Sequence, residues 1–323
     1  MMPRGNSLRS CQSALASALI AMHAKAASDH PDSKNREPGA APAAYSLPWA
    51  LRPVVSASAI RVETSLARYE NAAADHGVTA ATVLTGSYRV EGTGPKGAGL
   101  TPLFRMAMVA DAPPVGIPGG FVVGNPLLGA SYAALFSNMR ANVLLGATLP
   151  VGGGGGDAPD AGTVNARQKG VPARVQMDNA LFAVNDLAIV FGLGGAYVAH
   201  GLTIQIEATL LHLVRVRGEA VQKETSKTNF TTGLHVGYFV MGHLSVGAEA
   251  RYQRWINAPL SVDADASGAT KDTLSLAVGP RGHIKLGRAW FRPSIAYERG
   301  LDKPLASAQL NYHIVRVDLP IVF

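Results

Sequence analysis

The chain has 323 residues, a formal charge of +7 and a pI near 9.6; 47% of its residues are hydrophobic, and it holds 35 glycines and 20 prolines. The length suits one large β domain or two ordinary ones, and the glycines and prolines argue against long helices. No run approaches the roughly 20 apolar residues of a spanning helix, and the basic charge is scattered with no nucleic-acid module beside it, so no nucleic-acid partner is expected.

Residues 1–10 carry Arg4 and Arg9 and no acid. A short apolar stretch, 11–22, follows, and Ala24-Lys25-Ala26 fits a small-x-small cleavage pattern. The expectation is a signal peptide over 1–26, taking the only cysteine, Cys11, with it. Residues 27–44 are polar and rich in Pro and Ala, without periodicity, and read as a flexible N-terminal segment.

From Tyr45 the hydrophobic signal has period two, the alternation of a strand whose faces differ. In 203–217, Ile204, Ile206, Ala208, Leu210, Val214 and Val216 share one face, while Thr203, Gln205, Glu207, Thr209, Arg215 and Arg217 share the other. The best helix-like stretch, 187–199, is interrupted by Gly192, Gly194 and Gly195 and reads better as a strand. Twelve strands are expected, near 53–68, 78–91, 100–110, 124–136, 139–150, 187–199, 202–217, 229–240, 244–256, 272–286, 290–299 and 309–323. Their connections alternate short and long, the mark of an outer-membrane barrel with tight periplasmic turns and larger outer loops. The longest connection, 151–186, holds the glycine run 152–156, and its later part is a candidate for a short helix or for folding into the barrel mouth. The glycine run lacks the Lys-Ser/Thr that a phosphate loop needs.

The carboxyl end adds a specific pattern. Val315, Val317, Leu319, Ile321 and Phe323 alternate with Arg316, Asp318 and Pro320, and this resembles the terminal strand that outer-membrane assembly machinery recognises. Together these features predict an all-β protein over 45–323: a closed antiparallel transmembrane β-barrel of about 12 strands in the bacterial cell outer membrane. In hydrocarbon such closure is required, because every backbone donor and acceptor must be satisfied within the protein. The partners expected are outer-membrane lipid, the barrel assembly machinery and a small-molecule solute.

The stretch 124–156, GNPLLGASYAALFSNMRANVLLGATLPVGGGGG, has a G-N-P-L-L-G strand start and a following strand that ends in L-P-V-G. It resembles the meta-pathway phenol-degradation family of outer-membrane transporters. The segments LPWALRPV (47–54) and YQRW (252–255), with the VRVDLPIVF end, are similar to uncharacterised myxobacterial barrel proteins. The resemblance implies a barrel and passage of small, hydrophobic molecules; it carries no functional residues across.

The inward face is expected to collect Arg61, Glu63, Arg89, Glu91, Arg105, Arg140, Glu207, Arg215, Glu249, Arg251, Arg281, His283, Lys285, Arg292, Glu298, Arg316 and Asp318. Basic rings in a pore favour anions, whereas Arg–Glu ladders brace a closed interior; the acids beside the bases on most strands favour bracing. His243 and Ser245 share a face two residues apart at a predicted periplasmic turn, without a third partner, so a nucleophile–base pair is not expected. No enzyme activity, cofactor or metal site is predicted. The leading function is a passive channel or transporter for small hydrophobic or anionic solutes. The alternatives are a structural or surface-interaction barrel whose outer loops bind partners and, more distantly, a barrel lipid hydrolase.

Overall fold

The computed structural model describes residues 45–323, apart from 72, 74, 266, 269, 308 and 309; the signal peptide and N-terminal segment expected over 1–44 lie outside the described residues. Alternating apolar and polar side chains produce fifteen strand segments. The first six are β1 (Ala59–Asn71), β2 (His76–Ser87), β3 (Gly99–Ala112), β4 (Gly120–Val123), β5 (Leu127–Phe136) and β6 (Met139–Thr148). After helices α1 (Ala161–Ala173) and α2 (Asn179–Phe182) come β7 (Asp186–Ala199), β8 (Leu202–Arg215), β9 (Ser226–Met241) and β10 (Leu244–Asn257). A short α3 (Leu260–Asp263) precedes β11 (Asp272–Gly282), β12 (Ile284–Leu286), β13 (Ala289–Phe291), β14 (Ser294–Gly300) and β15 (Leu310–Val322).

All of the pairing is antiparallel, and β1 pairs with β15, so the sheet closes on itself. β4 and β5 are one stave, since both pair with β3; β11 continues into β12, and β13 into β14, giving a twelve-stave barrel. The expected strands are all present, with one shift that matters. The first starts at Ala59, not at residue 53, and residues 45–56 leave the sheet to run inside the barrel.

Short turns gather at one end. The two-residue turn His200-Gly201 has φ of 50° and 79°, the positive values at both central positions that let a hairpin follow the strand twist. Phe136, Tyr197, Tyr238, Trp290 and Phe323 point outward at this end, an aromatic girdle of the kind that marks a membrane interface. Between the ends the outward row of the last stave, Val315, Val317, Leu319 and Ile321, is exposed or partly so, beside Ile60, Val62 and Leu66 of β1. Such a belt fits hydrocarbon, not water, and the large exposed apolar area has a ready solvent there.

The inward face is occupied. In the outer half, α1 and α2 of the 151–186 connection fold into the barrel, so the long loop that the sequence suggested could enter the mouth does enter it. Gly170 of α1 lies against Val109 and Phe182, with no room for a Cβ. Ala166, Ala173, Leu181 and Phe182 are buried with Val83, Val109 and Ile314 of the wall in one apolar cluster. Asp160 caps α1, its carboxylate accepting from Thr163 N at 2.9 Å.

Candidate functional site

The inner half of the lumen is built around residues 45–56. A chain running inside a barrel has no neighbouring strand, so its backbone groups need other partners. Side chains of the wall supply them. The Glu249 carboxylate on β10 accepts from the backbone N of Trp49, Ala50 and Leu51 at 2.9, 3.0 and 3.1 Å. Arg281 on β11 donates to Leu47 O at 3.0 Å and Pro48 O at 3.3 Å, and Arg61 on β1 donates to Pro48 O at 3.2 Å and to Trp49 O. Gln205 on β8 donates to Arg52 O at 2.7 Å and accepts from the Tyr45 hydroxyl at 2.6 Å. Arg52 itself reaches Glu207 at 3.2 Å and the Thr209 hydroxyl at 2.7 Å. One backbone bridge, Ser56 to Gly97, joins the segment to the inner turn.

Inward glycines make the space. A Cβ at Gly192 would meet the Arg52 guanidinium at 2.3 Å, at Gly233 Leu51 Cδ1 at 2.8 Å, and at Gly237 Ser46 Oγ at 2.3 Å. Staves β7 and β9 thus carry a trough into which the segment settles. Trp49 is 1% exposed, with His235 packed edge-on at 5.8 Å between ring centroids.

Below α1 the two occupants meet a charge network. Asp318 on β15 takes Arg61 at 2.6 Å and Arg281 at 2.7 Å. Arg316, also on β15, pairs with Glu63 of β1 and Glu298 of β14. From the loop, Arg174 pairs with Glu63 and with Asp178, both at 2.6 Å, and Arg105 of β3 reaches Asp178 at 3.0 Å. Arg251 is buried at the same level and interacts with Glu298 and Glu249. The cations here have carboxylates beside them, the arrangement of a brace.

The expected lumen residues therefore divide. Arg61, Glu249, Arg251, Arg281, Glu298 and Arg316 converge. Arg292 stands toward the short-turn end, its carbonyl accepting from Arg281 at 2.8 Å and its guanidinium 5.8 Å from the Trp290 ring centre. Arg89 and Arg215 lie apart from the cluster. Arg89 staples the inner turn through the carbonyls of Gly94 (2.7 Å) and Ala98 (3.2 Å), and Arg215 ties the outer loop through Gln222 O (2.7 Å). Glu91 and Lys285 are exposed outside the lumen. Ser245 faces inward, but the histidine it is hydrogen-bonded to is His283, through Nε2 at 2.9 Å; His243 is exposed in the turn. Ser46 Oγ covers Ser245 at 3.4 Å.

Sequence reasoning missed Arg52, Arg174 and Asp178; it placed Gln205 on the polar face of its strand but gave it no role. Glycines at inward positions two apart, 192 and 194, were the available signal for an inner occupant, because a strand gains nothing from them otherwise.

No family model and no curated protein matches the chain. Among solved structures it is similar to an outer-membrane channel from Pseudomonas putida F1, with 14% identity and a TM-score of 0.51 over 85% of this chain and 97% of that one. It also matches the translocator domain of the autotransporter NalP from Neisseria meningitidis, with 11% identity and a TM-score of 0.46 over 98% and 99% of the two chains. A third match is the NanC porin, with 8% identity and a TM-score of 0.45 over 81% and 98%. Closed antiparallel staves, an outward apolar belt with an aromatic girdle, and the Pseudomonas channel's matching architecture establish the fold as that of a bacterial outer-membrane β-barrel.

Proposed function

We propose that the chain is a gated outer-membrane channel for small hydrophobic solutes, with residues 45–56 as the gate. The carrying observation is how that segment is held. Its backbone is bound by side chains of the wall and by a single ladder bridge, so it can leave without unzipping any stave. The outer occupant differs, because α1 and α2 share a buried apolar cluster with the wall. A hydrophobic solute suits this lumen better than an anion, since the arginines of the network are paired with carboxylates. The resemblance of 124–156 to phenol-degradation transporters supports the same solute class. The Ser245–His283 contact is read as a cross-strand hydrogen bond under a covering residue, and the protein as non-catalytic.

A reversible lock tests the proposal. Ser46 Oγ and Ser245 Oγ are 3.4 Å apart, so S46C/S245C should form a disulfide. Uptake of a labelled monoaromatic solute into proteoliposomes should be lower in the oxidised variant and restored by reductant. Equal uptake in both states would refute the gate. An ion conductance that rises on reduction and prefers anions would instead favour the anion channel.

A further inference from the structure

On the outer wall, three basic side chains lie in one row across adjoining staves. Arg68 of β1 is paired directly with His313 of β15. The β14–β15 register, Tyr297 with Val315 and Glu298 with Ile314, carries Arg299 opposite His313 on the other side. Strand alternation turns all three outward; Arg68 and His313 are exposed and Arg299 is partly so. Neighbouring strands lie about 4.8 Å apart, so the two arginines stand about 10 Å from each other with His313 between them.

The row is organised. The Tyr297 hydroxyl and His313 Nδ1 are hydrogen-bonded at 2.7 Å, and Arg299 Nη2 donates to Asn311 Oδ1 at 3.3 Å. A cavity of about 330 Å³ opens here, lined by Arg68, Tyr69, Glu70, Asn311 and His313. Its carboxylate, Glu70, faces His76 at 3.8 Å. Among the described residues no carboxylate makes an ion pair with Arg68 or Arg299, whereas Arg254 and Lys271 on the same outer surface are paired with Asp272 and Asp263.

Depth identifies the surroundings. His313 stands ten residues before Phe323 along the last stave, and the outward residues between them are Val315, Val317, Leu319 and Ile321. Ten strand residues at a tilt near 40° rise about 25 Å, the height of an apolar membrane band. With Phe323 in the inner girdle, the row sits at the outer lipid interface, where the outward cation costs little.

We infer that Arg68, His313 and Arg299 form a clamp for the phosphate of an outer-leaflet lipid headgroup. A guanidinium fork matches phosphate geometry, and two of them closing on one group leave no unpaired charge at the membrane edge. The His313 ring adds a third polar contact, fixed in orientation by Tyr297.

The test is native mass spectrometry of the detergent-purified full chain with diphosphoryl lipid A as the probe. Dephosphorylated lipid A and inorganic phosphate form the comparison arms. Wild type should retain the diphosphoryl form in preference to the dephosphorylated one. R68Q/R299Q should bind it about thirtyfold more weakly, the effect of removing two interfacial cations. R254Q should bind as wild type does. Equal retention of both lipids by wild type, or unchanged retention by R68Q/R299Q, would overturn the clamp. Displacement of the lipid by equimolar inorganic phosphate would overturn its assignment to a lipid. Heat-modifiable gel mobility reports folding. Should R68Q/R299Q fail to fold, the single variants R68Q and R299Q take its place: each should bind diphosphoryl lipid A about fivefold more weakly, and unchanged retention by both would overturn the clamp.

Discussion

Replacing Glu249 with Ala should release residues 45–56 while leaving the barrel closed. The carboxylate accepts three backbone N–H groups, from Trp49, Ala50 and Leu51, at 2.9 to 3.1 Å. Hydrogen bonds to a charged group contribute about 1.5–3 kcal/mol each. The three share one acceptor, and water can follow the loss into the lumen, so the sum is discounted to about 3–5 kcal/mol. At about 1.4 kcal/mol per tenfold, the equilibrium between docked and released segment should shift by roughly two to three and a half orders of magnitude. Hydrogen exchange read by mass spectrometry checks this: peptides covering 45–56 should lose protection, while those from β7 to β10 keep theirs. Trp49 is 1% exposed in the docked state, so its emission should shift to the red. Glu249→Gln, which keeps an acceptor but not the charge, should fall between. Unchanged protection of 45–56 would refute the reasoning, and so would loss spread over the staves, since that would make Glu249 part of the wall's stability and not of the segment's docking.

Gly237→Val should also expel the segment, because a Cβ there meets Ser46 Oγ at 2.3 Å; exchange at 45–47 should rise with heat-modifiable mobility retained. Replacing Arg251, Arg281 and Arg292 together with Gln should lower the thermal unfolding temperature and leave ion selectivity flat, because Arg281 braces Asp318 at 2.7 Å. Breaking a buried pair costs about 3–5 kcal/mol, here softened by Arg61, which still holds Asp318. Selectivity that changes at constant stability would reverse that reading. Deleting Phe323, or Leu319→Asp, should reduce outer-membrane levels, measured by fractionation and immunoblot, through damage to the outward row of the last stave.

The barrel was legible in the sequence because lipid imposes a strict alternation. Ile204, Ile206 and Ala208 had to face one way and Gln205 and Glu207 the other, and the structure keeps that division. Positions of the turns followed from glycine and from loop length. The interior was harder to read. The expected first strand, 53–68, takes in Pro53 and Val54, and nothing local in 45–52 marks that stretch as an inner segment. What makes it an inner segment is Glu249, Arg281 and Gln205, each about 150 residues or more away in sequence. Arg174 and Asp178 were equally hidden, since a loop's polar residues look solvated until the loop is folded inward. In the linear sequence the glycines at 192 and 194 read as interruptions of a helix; as small inward positions they mark the trough.

The charge network has a bearing on the order in which the barrel can be completed. The final stave carries Arg316 and Asp318, the counter-charges of Glu63 and Glu298 and of Arg61 and Arg281. With β15 undocked, Arg61 and Arg281 would face one another without Asp318, and Glu298 would keep only Arg251 as a counter-charge in a narrowing, low-dielectric interior. The arrival of the last stave completes their neutralisation, at the same step that joins β15 to β1. A mispaired final strand, slipped by one residue, would turn Arg316 and Asp318 toward lipid and leave the interior charges uncancelled. The seam thus rejects wrong registers electrostatically as well as by backbone pairing, which gives the last strand to arrive the role of a proofreader of the whole assembly.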